Sequence, residues 1–180
     1  MKIFLAIIFI VAILSLQVTI FSKLGVFGAA PNLIVAVAVA LALIQKEGNF
    51  DWLIFALAVC FDLLIGRPFG LTALSVWLTF SATKWLEKFL FKQSGFVSLA
   101  VLSLIGASLY QLFLVVFSEL AQIFKYGTFN FYLSNFYTVI PAAIVYNTLL
   151  CLLVFIILKK VLPAVGSFGR RFNLKPIGQF

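Results

Sequence analysis

The sequence predicts an all-α polytopic membrane protein of six transmembrane helices, and three observations predict it. Apolar residues make up 64% of the 180-residue chain and charged residues 10%, against about 45–50% and about 25% in soluble domains. The mean hydropathy is +1.22, and a soluble chain of this length has no core large enough to hide that much apolar surface. The 13 Lys and Arg and 5 Asp and Glu residues gather mostly at the seams between apolar runs. The runs themselves are about as long as a bilayer crossing requires, roughly 20 residues for a hydrocarbon layer of about 30 Å.

The first predicted span is Ile3 to Phe21. Its apolar stretch exceeds the roughly 7–15-residue core of a secretory signal, and Gly28-Ala29-Ala30 is a weak cleavage site, so the span reads as a retained helix. The second runs from Val26 to Ile44 with Pro31 inside it, and the third, shorter, from Trp52 to Ile65. A short span crosses if it tilts little or if Gly66 and Phe69 extend its reach. The fourth runs from Phe69 to Leu90, so Gly66-Arg67-Pro68 must close a tight hairpin. Gly66 and Gly70 permit unusual backbone dihedrals there and Pro68 fixes one. The last part of this span, KWLEKFLFK, is amphipathic. Lys84, Glu87 and Lys88 can snorkel to water while Trp85 and Phe89 stay in the interface, on a face that meets the membrane surface or a cytoplasmic partner. The fifth span is Phe96 to Ser118, where Ser103, Gly106, Ala107 and Ser108 would let helices approach closely. The sixth is Thr138 to Leu162. Residues 1–162 thus form an integral membrane domain. The tail 163–180, with its Pro, Gly and basic residues, reads as flexible, cytoplasmic and in touch with anionic lipid.

Six spans sort the basic residues by side. Lys2, Lys46, Lys84, Lys88, Lys92, Lys159, Lys160, Arg170, Arg171 and Lys175 fall on the side of the N-terminus, and Lys23, Arg67 and Lys125 on the other. Under the positive-inside rule both termini are cytoplasmic. The formal net charge of +8 is then a membrane-surface charge, with no nucleic acid implied.

The composition also narrows the chemistry. The chain has no His, which removes the usual imidazole base, the Ser-His and Cys-His nucleophile pairs and most zinc sites. Cys60 and Cys151 sit singly in apolar runs and read as core residues. No Gly-rich phosphate loop occurs, and an aspartyl intramembrane protease would need two Asp in facing spans, whereas Asp62 stands alone. No enzyme activity, metal or cofactor is expected.

Two regions stand out against this background. Between Ala121 and Tyr137 lie Phe124, Tyr126, Phe129, Phe131, Tyr132, Phe136 and Tyr137. Such a loop can be an aromatic belt at headgroup level and also a docking surface, with Phe129 and Phe131 as anchors for a membrane or extracytoplasmic partner. The other region is FDLLIGRPFG, Phe61 to Gly70, which places a carboxylate at the end of a span. A charge in a span costs roughly 2.5–3.5 kcal/mol. Asp62 can offset that cost in three ways: by pairing with Arg67 or capping backbone N–H groups in the turn, by serving a solute or ion site, or by meeting a partner helix. Asn147 in the sixth span reads as interhelical glue, while Gln111 in the fifth and Glu119 at its end are further polar groups.

Four stretches carry a family likeness: Gly28-Ala29-Ala30-Pro31-Asn32-Leu33, Gln45-Lys46-Glu47-Gly48, FDLLIGRPFGLTAL from Phe61 to Leu74, and Ile140-Pro141-Ala142-Ala143 with Asn147-Thr148-Leu149-Leu150. Together they cover about Val18 to Leu162 and resemble the bacterial rod shape-determining protein MreD family. One departure is Asn32, where the family often has Asp. The resemblance implies a fold similar to the substrate-binding S-components of energy-coupling-factor transporters. It also implies a multi-pass protein of the bacterial inner membrane, a non-enzymatic scaffold for side-wall elongation. The implied partners are MreC, with MreB, RodA and a class B penicillin-binding transpeptidase as complex members. The likeness to S-components supplies the alternative, a small-solute-binding transport subunit.

Overall fold

The computed structural model describes residues 2–25, 28–44, 51–66, 69–90, 96–123 and 136–171. All the regular structure among them is helical: α1 (Lys2–Thr19), a short 3-10 turn (Phe21–Lys23), α2 (Leu33–Ile44), α3 (Asp51–Ile65), α4 (Leu71–Leu90), α5 (Phe96–Ile123) and α6 (Phe136–Arg171). Phe4–Lys23, Val97–Ile123 and Tyr137–Lys160 are long and apolar enough to cross a membrane, which marks the chain as membrane-embedded.

Six helices stand where six crossings were expected, but only three among the described residues meet the length and composition of a crossing. The reason is clearest in α2. Its 12 residues rise about 18 Å, well short of a hydrocarbon layer. It is apolar on every side, as a fully enclosed helix must be, and Leu33 to Ala42 are all buried. Each of the other five helices touches it. Protein surrounds α2 where lipid was expected.

The expected start of this element, Val26 with Pro31 inside, is also corrected. Helix α2 begins at Leu33, and Pro31 lies before it. The Asn32 side chain ends the preceding turn by accepting bonds from the Ile34 and Val35 N–H groups at 3.1 and 3.4 Å, the geometry of an N-cap. Two other bounds move outward. Helix α5 passes the expected Ser118 and reaches Ile123. Helix α6 passes Leu162 and Pro163, the expected start of a non-helical tail, and reaches Arg171. A proline forgoes one N–H bond, and α6 runs on through both Pro141 and Pro163. Residues 172–180, Arg67 and Pro68, and most of the aromatic loop, including Phe129 and Phe131, lie outside the described residues.

Helices α3 and α4 form an antiparallel hairpin. At its open end Lys84 Nζ lies 3.4 Å from Asp51 Oδ1, a half-exposed pair worth about 1 kcal/mol at most. Nearby, the exposed Trp85 and Phe89 rings touch at a centroid distance of 4.7 Å. Helix α5 lies tightly on α2 and α4. A Cβ at Gly106 would sit 2.9 Å from Val39 Cγ2 and 3.1 Å from Thr83 Oγ1, so only glycine allows this approach. The outward side of α1, with Phe4, Ile7, Ile8 and Val11, is exposed apolar surface suited to lipid.

Candidate functional site

An α-helix leaves its first four N–H groups without partners, and in an apolar surrounding each unpaired group costs about 1–3 kcal/mol. At α2 all four are accounted for. The Asn32 N–H donates to Asn147 Oδ1 of α6 at 2.8 Å. The Leu33 N–H donates to Gln17 Oε1 of α1 at 2.6 Å. Those of Ile34 and Val35 go to Asn32 Oδ1, and from Ala36 onward the helical ladder begins with a 3.1 Å bond to Asn32 O. The same side chains tie the elements together. Gln17 Nε2 donates to Pro31 O at 3.3 Å, and Asn32 Nδ2 donates to the Tyr110 hydroxyl of α5 at 3.0 Å. The start of α2 is therefore a knot of α1, α5 and α6.

Helix α4 meets the same need differently. Its N-cap is Gly70, whose carbonyl accepts the first helical bond from Leu74 at 2.9 Å. Glycine has no side chain to turn back on the N–H groups, and the carboxylate comes from α3 instead. Asp62 Oδ2 accepts from the N–H groups of Gly70 at 3.1 Å and Ala73 at 3.0 Å, and Oδ1 from that of Thr72 at 3.2 Å. The side chain is 1% exposed. An anion beside a helix N-terminus also gains from the helix dipole. Gly66 at φ +69° and Gly70 at φ +91° bracket the turn, both in the left-handed region that glycine enters without strain. Of the readings open for Asp62, the cap on backbone N–H groups is the one seen among the described residues; Arg67 lies outside them.

Between α5, α6 and the approach to α2 lies a cavity of about 190 Å3. Asn32, Tyr110, Gln111 and Asn147 line its polar part, and Leu114, Val139 and Ala143 its apolar part. Asn147 spends its oxygen on the cap, while its Nδ2 is buried with no partner among the described residues. Glu119, singled out for its position, lies apart from this cluster near the end of α5, with a buried Oε1 that has no partner among the described residues.

The structure brings Pro31, Asn32 and Asn147 into one cluster and Asp62, Gly66 and Gly70 into another. Gln17 and Tyr110 were missed by sequence reasoning. Gln17 did carry a signal, as a lone carboxamide in the apolar run of α1. Tyr110 carried none, because a tyrosine in a span reads equally well as lipid-facing. No family model, curated protein or solved structure matches this chain.

Proposed function

We propose that this chain is a non-enzymatic scaffold of the cell-wall elongation machinery in the bacterial inner membrane, with both termini cytoplasmic, and that it binds a single-span partner of the MreC kind. It would link wall synthases such as RodA and a class B transpeptidase to MreB filaments. The reading rests on the MreD-like stretches, above all FDLLIGRPFG. Supporting it is the engagement of the acid in that stretch: Asp62 accepts from three backbone N–H groups. A motif that locks a hairpin suits a protein whose work is to present a fixed surface. The basic loops and the aromatic stretch around Phe129 and Phe131 would meet lipid and partner.

Purification from native membranes followed by mass spectrometry tests the reading. Wall-synthesis proteins should co-purify, and depletion should make rod-shaped cells round. Replacing Phe129 and Phe131 with Ser should weaken partner capture and leave insertion intact. Recovery of an energising ATPase pair, with no wall-synthesis protein, would instead establish the transport-subunit alternative.

A further inference from the structure

The cavity beside α2 contains polar groups that capping does not use. Gln111 is 6% exposed, lines the cavity, and makes no hydrogen bond among the described residues. Asn147 Nδ2, from the facing helix α6, is a buried donor with no partner among the described residues. An unpaired buried donor such as Asn147 Nδ2 is costly in the empty state, and its pairing by a guest would recover that cost.

From these residues we infer that the cavity is a binding site for a small uncharged molecule carrying a carboxamide on a ring-sized apolar body. The charge follows from the walls, since none of the described residues around the cavity is Asp, Glu, Lys or Arg. The carboxamide follows from Gln111, whose own amide offers a donor beside an acceptor and pairs with the same grouping reversed. The apolar body follows from Leu114, Val139 and Ala143 on the remaining wall. The size agrees, because a cavity of about 150 Å3 in another protein takes up benzene. Water alone fills such a space poorly. Each water takes about 30 Å3 and needs two to four polar partners, and here Asn32 and Tyr110 are already bonded to each other. The inference is independent of the scaffold reading, since either a scaffold or a transport subunit can hold a ligand there.

The test uses the full chain in lipid nanodiscs with three probes of one shape: benzamide, benzoate and ethylbenzene. Calorimetric titration and thermal unfolding should show saturable benzamide binding and a raised Tm, with benzoate and ethylbenzene inert at the same concentration. Gln111→Leu should weaken benzamide at least about tenfold, the loss expected for a pair of hydrogen bonds. The unliganded Tm should hold or rise, because the variant removes an unpaired polar group. Ala143→Val, which narrows the cavity from α6, should weaken binding in the same direction. Failure of benzamide to bind, equal binding of benzoate or ethylbenzene, or undiminished binding in both variants would overturn the inference.

Discussion

The starts of α2 and α4 face one problem and solve it with opposite chemistry. At α2, neutral carboxamides from three parts of the chain share four N–H groups, with Gln17, Asn32 and Asn147 each taking one or two. At α4 a single carboxylate takes three. The difference follows from what each cap must join. Helix α2 sits at the centre, touched by each of the other described helices, so distributing its cap among them also fixes their relative register. Helix α4 has only to be folded back on α3, and one residue at the end of α3 does that. A charge is tolerable there because three N–H groups and the helix dipole stabilise it. Concentrated and distributed caps should therefore fail differently.

The largest effect is expected at the concentrated cap. Asp62→Leu strips three donors of their acceptor at once and should cost about 3–5 kcal/mol, measured by reversible unfolding in mixed micelles. Asn32→Ala removes the acceptor for two donors and the bond to Tyr110, for about 2–3 kcal/mol. Here Gln17 and Asn147 still hold their own N–H groups, so the loss should be smaller than at Asp62 although the site involves more residues. Gly106→Ala provides a control that touches neither cap. Overpacking against Val39 and Thr83 should cost about 2 kcal/mol, without selective loss of amide protection at either helix start. Smallest should be Gln17→Leu, at about 1 kcal/mol. If Gln17→Leu instead matched Asp62→Leu, the distributed cap would be a single unit and the contrast would collapse.

How much of this was legible in the sequence depends on range. The six helices among the described residues were, because apolar runs and charged seams are local signals. So was the turn at Gly66 to Gly70, since glycines flanking a proline restrict the backbone locally. The acid next to that turn left three readings open, with capping of the turn's N–H groups among them. The enclosure of α2 was less legible, because an apolar run reads the same in lipid as in protein and only its 12-residue length separates the two. Pro31 was placed inside the helix because the run of small apolar residues continues across it, while the capping signal is the single side chain of Asn32. The joining of Gln17 to Leu33, and of Asn147 to Asn32 across 115 positions, depends on how helices meet, which no local pattern encodes.

Amide hydrogen exchange on the Asp62→Asn variant in nanodiscs tests the central claim, that side chains borrowed from neighbouring helices hold these buried helix starts. Asn retains one acceptor oxygen where Asp offers two. Protection should therefore fall either at Thr72 or at Gly70 and Ala73, whichever face the new nitrogen, and persist at Leu33, Ile34 and Val35. Unchanged exchange at the first three, or equal loss at all six, would contradict the account.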